Sequence, residues 1–379
     1  MRRLGRAVAS AALIGLCGLC GPFGSSEGRA SLHHPDEPMA VPVTSAGEPE
    51  ALPFDEFSRR RAVLTNMLNP NRALVNPDNP SEKSERGRAF DRIEKAQKNA
   101  KRTPEQSAAL AADLIRVGKA GEAAGVFQRR DGFLVNVTLA HAFAAQADWR
   151  QASNYLAIAN DPEDSPPPKA LPGVTPAQLA WQLKLNRGPL KTLFDTRRAA
   201  VGRKESPEDE RPDPIFPVDW TATGPDGLIS PAEKAKLPPD ALAVAQQLLL
   251  WFPADPRLYW LLAEVFAARG EFAEAQKILD ECAWSMTYSN RKLLMQHRES
   301  ITKAARDAAA KVNTDDPAPP DVPFTLGAVW VYFGVVGVIA LFALVRALTK
   351  PSPSDPRSGP GGRQAGKNER NPNDCGPVG

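Results

Sequence analysis

Apolar residues recur at helical spacing through most of the middle of the chain. Phe54, Phe57, Val63, Leu64, Met67 and Leu68 predict a short helix, which Asn69-Pro70-Asn71 ends. Asn76-Pro77-Asp78-Asn79-Pro80 is a turn cluster, and Ser81 to Arg102 reads as a polar helix with Phe90 and Ile93 on a narrow apolar face. Thr103-Pro104 then starts a helix in the expected way, a capping hydroxyl followed by proline at the first helical position. Leu110, Leu114 and Val117 share one face of it, Gly118 closes it, and Glu122 to Phe127 begins a second helix.

Two further stretches carry a longer common spacing. One holds Leu139, Ala140, Phe143, Ala147, Trp149, Ala152, Leu156 and Ala159; the other holds Tyr259, Leu262, Ala263, Phe266, Gly270, Phe272, Ala275, Leu279 and Cys282. Small residues in such a pattern let two helices approach, and the large ones fill the gaps between them. The second stretch resembles the tetratricopeptide repeat at each of these positions, and Trp251-Phe252-Pro253-Ala254-Asp255-Pro256 resembles the proline-containing joint between successive repeats. The first stretch departs by having Ala147 where glycine is usual, and the unit at 103–127 is weaker. The resemblance covers about a third of the chain. It implies paired helices that stack to bury a shared face, Ala241 to Phe252 being the second helix of an incomplete unit. It also implies a ligand groove lined by the first helix of each pair. Carried over position by position, that groove holds His141, Arg257, Trp260 and Glu264. The competing reading has Trp260 packed against Leu248 or Trp251. Lysine and asparagine, which the subfamily gripping C-terminal carboxylates needs, are absent from these positions.

Residues 166–240 interrupt the repeats. Pro166-Pro167-Pro168 breaks the chain, Pro176 to Asn186 and Leu190 to Val201 predict two short helices, and Lys204 to Pro214 is a charged, proline-rich loop. Ile215 to Ile229, turning at Gly224-Pro225-Asp226-Gly227, allows a small β-hairpin, and Ser230-Pro231-Ala232-Glu233 has the form of a capping box. After the repeats, Leu293, Leu294, Ile301, Ala304, Ala305 and Ala308 form one stripe of a capping helix that ends the stack.

The two ends have a different character. A basic start, Met1-Arg2-Arg3-Leu4-Gly5-Arg6, precedes an uncharged stretch to Phe23, and Gly28-Arg29-Ala30 offers small residues for cleavage, the layout of a secretory signal. Residues 31–52 read as a disordered leader. Phe324 to Val345 has no charged residue and is long enough for a helix to span a bilayer core of roughly 30 Å. Acidic Asp315, Asp316 and Asp321 precede it, and Arg346, Lys350, Arg357, Arg363, Lys367 and Arg370 follow, so the basic tail is expected in the cytoplasm and the bulk outside it.

Composition adds mainly exclusions. The 379-residue chain has a formal net charge of +3, too balanced for a nucleic-acid-binding surface. Cys17, Cys20, Cys282 and Cys375 match neither a disulfide framework nor a zinc pattern, and Cys282 reads as a buried small hydrophobe. His33, His34, His141 and His297 lack metal spacing. Asp226 to Ser230 with Glu233 mimics half of a calcium loop, but Ala222 and Gly224 stand where carboxylates are needed. No phosphate loop or nucleophile elbow is present, and no cofactor is expected.

The expected fold is mainly α, an α-solenoid of tetratricopeptide-like hairpins with a small loop or β-hairpin insertion and one transmembrane helix. The expected divisions are a signal peptide (1–30), leader (31–52), N-terminal helical region (53–165), insertion (166–240), hairpin with capping helix (241–311), linker (312–323), transmembrane helix (324–348) and cytoplasmic tail (349–379). The expected role is a non-enzymatic, single-pass membrane scaffold that binds a protein or peptide in the cell envelope. The ensemble resembles repeat-containing envelope proteins of bacteria with GC-rich genomes, planctomycetes among them. Two alternatives stay open. One is an enzyme with its site in residues 203–240 near Trp220; the other is a structural membrane protein that oligomerises through Gly327, Gly334 and Gly337.

Overall fold

The computed structural model describes residues 40–127, 131–171, 174–203, 206 and 210–315, with side chains described to 310. The predicted signal, residues 31–39 of the leader, the transmembrane segment and the tail lie outside the described residues; the rest of the leader, 40–52, is described and packs against the fold instead of reading as disordered, with Val41 and Leu52 buried. Two units divide the chain, Met1–Asn313 and Thr314–Gly379, and the architecture below belongs to the first. Among the described residues no helix is long and apolar enough to cross a membrane.

Helices dominate. In chain order they are α1 (Phe54–Leu68), α2 (Glu85–Gln97), α3 (Pro104–Arg116), α4 (Ala120–Gly125), α5 (Phe133–Ala144), α6 (Trp149–Asn160), α7 (Pro176–Leu185), α8 (Lys191–Gly202), α9 (Pro231–Lys234), α10 (Ala241–Trp251), α11 (Pro256–Ala268), α12 (Phe272–Ser285) and α13 (Arg291–Asp315). Thr103 and Gln106 exchange hydrogen bonds in a complete capping box at the start of α3, and Thr175 and Gln178 do the same for α7. The two helices expected in the insertion are joined without a break. Asn186–Leu190 forms one wide π turn that contains Pro189, and a wide turn absorbs the hydrogen bond that proline cannot donate.

The hairpins α5–α6 and α11–α12 are the most intimately packed pairs. Leu139, Ala140, Leu156, Leu262, Ala263, Phe266, Ala275 and Leu279 are all buried in one continuous core. Helix α10 has all of its residues buried, because other elements enclose it on every side. Helix α1 docks on the joint after α10 and on the α11–α12 hairpin through Arg61. Its Nε donates to the Pro253 carbonyl at 3.0 Å, its Nη1 to Glu281 at 2.9 Å, and its guanidinium lies 3.6 Å from the centre of the Tyr259 ring.

The insertion departs from expectation in one respect. Among the described residues no strand forms, so the β-hairpin over 215–229 reduces to a single bridge between Thr223 and Ile229. Gly224 N–H donates to Leu228 O at 2.7 Å and Ser230 N–H to Ala222 O at 3.1 Å, but the pairing goes no further. The segment before Thr223 is instead drawn into the core by Ile215, Phe216, Val218 and Trp220, all buried. Burial of those side chains outweighs the few hydrogen bonds a two-stranded ribbon would add.

Candidate functional site

Helix α11 places Arg257, Trp260 and Glu264 on one face by their spacing, as a groove requires. That face is covered by the chain itself: the three residues are 8%, 0% and 4% exposed. The loop before Ile215 covers its beginning. Arg257 Nε donates to Arg211 O at 3.0 Å, and its Nη2 lies 3.3 Å from Asp213. Asp213 is fully buried and also receives Arg197 through both oxygens, at 3.0 and 2.7 Å; Arg197 reaches on to Asp255 at 2.9 Å. Burial pushes the Asp213 carboxyl up, and Arg197 and Arg257 pull against it. Asp255 also caps α11, accepting from Leu258 N–H at 3.1 Å. One network therefore ties α8, the insertion loop and α11 together.

The capping helix covers the rest. Trp260 Nε1–H donates to Glu264 at 2.8 Å, and the same carboxylate oxygen is 2.6 Å from His297 Nδ1 on α13. The Trp260 ring meets Tyr288 and His297 edge to face, at 5.7 and 5.6 Å between centroids. Part of its cover therefore comes from the elements that follow the hairpin. Burial pulls the His297 pKa down, but the charge and hydrogen bond of Glu264 outweigh it and the net value lies above the ordinary 6.5. A Trp side chain that buries about 150–250 Å² is worth roughly 5 kcal/mol as an upper figure. Uncovering this face for a partner would forfeit much of that, a large share of a domain's stability of about 5–15 kcal/mol.

His141, the groove position of the other hairpin, is 1% exposed. Its ring stacks on Phe252 at 5.3 Å and meets Trp251 and Phe194 by their edges at 5.1 and 6.3 Å. The four predicted groove residues are thus all interior, His141 among Phe194, Trp251 and Phe252 and the other three beneath Arg211, Asp213, Tyr288 and His297. The repeat spacing placed the α11 residues on a common face, but spacing cannot show that residues 211–229 and α13 fold back over it.

The region around Trp220 encloses a cavity of only about 10 Å³, bounded by Trp220, Ile229, Glu264 and His297 among others. Such a volume admits no more than about one water. The capping box read at Ser230 is half formed. Ser230 Oγ accepts from Glu233 N–H at 3.3 Å, but the Glu233 carboxylate turns to Asp219 N–H at 2.8 Å and to Lys236. Asp226 accepts from Leu228 N–H within its own turn at 3.1 Å. Of the acidic residues in the calcium-like sequence, Asp226 is thus a turn acceptor and Glu233 ties the start of α9 back to Asp219. Cys282 is buried with a free thiol whose pKa is pushed up to about 12 by burial, so it is not poised as a nucleophile.

A feature that the repeat spacing did not reveal lies on α10. Gln246 and Gln247 are its only polar side chains, and both are buried. Gln246 Oε1 accepts from Leu52 N–H at 2.7 Å while its Nε2 donates to Leu52 O at 2.9 Å; Gln247 Oε1 accepts from Val41 N–H at 3.0 Å. Between these two points the chain makes a turn, closed by Glu50 N–H to Pro42 O and Thr44 N–H to Glu48 O, each 2.9 Å. Two adjacent amides within an otherwise apolar helix were the available signal in the sequence.

Comparison with protein families matches a tetratricopeptide repeat to residues 233–282, which span α10, α11 and most of α12. No curated protein and no solved structure matches the chain. The protein is thus mainly helical and carries a tetratricopeptide-type hairpin, the class of module that mediates contacts between proteins.

Proposed function

We propose that this chain is a non-enzymatic scaffold, held in a membrane by residues 324–348, whose helical hairpins bind a protein or peptide of the cell envelope. The observation that carries the binding role is the α11–α12 hairpin together with the family match across it. The membrane part rests on the uncharged run from Phe324 to Val345 and the basic residues after it. Orientation follows from the same asymmetry, with α1 to α13 outside the cytoplasm.

Cross-linking in intact cells, followed by purification of the tagged full chain from membranes, tests both parts. The expected result is a membrane-extracted complex containing a stoichiometric envelope protein, with residues 40–315 open to added protease and the tail protected. A chain that fractionates away from membranes removes the anchor. A chain that purifies alone after cross-linking overturns the scaffold role.

A further inference from the structure

Residues 41–52 touch the remainder of the fold as a ligand would. A side-chain amide carries one acceptor and a donor group, so it can pair with both the N–H and the C=O of a single extended residue. Gln246 does this to Leu52, supplying from a helix the donor and acceptor that a neighbouring strand would otherwise offer. The Leu52 side chain is buried beside it, and Pro53 follows without an N–H of its own, so none is left unpaired. Gln247 reads a second backbone N–H, that of Val41, whose side chain is also buried. A helix enclosed on all sides has no structural need for two adjacent amides, since each must find partners or cost stability. Their partners here are backbone groups of one short segment.

We propose that Gln246 and Gln247 form a docking site for an extended peptide containing leucine followed by proline, and that residues 41–53 occupy it in cis. The inference deepens the scaffold role above and rests on it, naming the ligand class and where it binds. The site lies on the helix preceding α11, away from the face of Arg257, Trp260 and Glu264. Backbone reading by Gln246 makes it tolerant of sequence outside the leucine-proline pair, so a partner segment of the same kind competes with the chain's own. The tethered segment acts at an effective concentration on the order of millimolar, which sets the competition a partner must overcome.

Two measurements on the full chain test this. The first is anisotropy of a labelled synthetic peptide with the sequence of residues 40–53. Wild-type protein is expected to bind it weakly, because the cis segment competes. Leu52→Asp weakens the tethered copy and is expected to tighten peptide binding at least tenfold, and adding Gln246→Ala to that variant is expected to abolish the gain. A folded Leu52→Asp protein with no gain, or a gain that survives Gln246→Ala, overturns the site. The second is amide hydrogen exchange in the wild type, which stays decisive if the variant does not fold. Exchange of Leu52 N–H at least 100-fold faster than that of Leu248 and Leu262 marks local release and supports the site. Exchange of all three at one common rate makes the segment an integral part of the core and overturns it. Failure here, with the cross-linked envelope complex intact, removes the α10 site and leaves the scaffold role standing.

Discussion

The hairpins α5–α6 and α11–α12 are built to one pattern and used differently. Leu139 and Leu262, Ala140 and Ala263, Phe143 and Phe266, Ala152 and Ala275, and Leu156 and Leu279 are equivalent pairs. The turns also close alike. Asp148 N–H reaches Phe143 O at 2.9 Å in one, and Glu271 N–H reaches Phe266 O at 3.0 Å in the other. Two things differ. The left-handed turn residue is Ala147 at φ 58° in the first hairpin and Gly270 at φ 83° in the second. Secondly, the outward face carries Val137 and His141 in the first but Trp260 and Glu264 in the second. His141 of the first face joins an aromatic cluster with Trp251 and Phe252, whereas Glu264 of the second recruits His297 through a buried hydrogen bond. Core positions make the hairpin; outward positions choose what folds over it.

The largest test of that division is at Glu264. Glu264→Ala removes the partner of both Trp260 Nε1 and His297 while leaving every hairpin core position intact. It is expected to destabilise the protein by about 3–5 kcal/mol, as loss of one member of a buried pair does. Urea unfolding measures this, and a loss below about 1 kcal/mol would show that the pair contributes little to holding α13 down. The same pair makes stability depend on pH. Because the folded-state pKa of His297 is raised above 6.5, its contribution is complete below about pH 6.5 and fades as pH rises through the folded value. Urea midpoints from about pH 6 to pH 9 should fall in the wild type, and His297→Asn should flatten that part of the slope.

Smaller effects belong to the turns. Gly270→Ala places a Cβ in the left-handed region and is expected to cost about 1 kcal/mol. The mirror change, Ala147→Gly, relieves that strain, and the greater chain entropy of unfolded glycine offsets part of the gain. It should stabilise by about 0.5 kcal/mol, read as a small rise in Tm. Opposite signs at the two turns would establish that they are equivalent; equal signs would separate the hairpins as unrelated pairs.

Both hairpins were legible in the sequence because their helices bury one face locally. Large and small residues three and four apart record that burial whatever lies beyond. The start of α3 was legible for a similar reason: Thr103 caps the backbone within three residues of itself. The β-hairpin expectation failed at Ile215, Phe216, Val218 and Trp220, where apolar residues suited to a strand are held by burial instead of by a ladder. The candidate groove was half legible. Its positions on α11 are set by periodicity, but their cover comes from Arg211, Asp213, Tyr288 and His297, as far as 46 residues away in the chain.

What the sequence by itself determined is therefore everything governed by spacing within a helix or a turn: which residues pair in a hairpin, where helices begin, and where Gly270 or Ala147 must turn the chain. Only the tertiary structure decided which faces remained open. Arg257, Trp260, Glu264 and His141 became interior residues, and Gln246 and Gln247, unremarkable in one dimension, came to hold a segment 194 and 206 residues away. The physical reason is that hydrophobic burial and buried hydrogen bonding depend on what arrives from elsewhere in the chain, and local periodicity carries no record of its arrival.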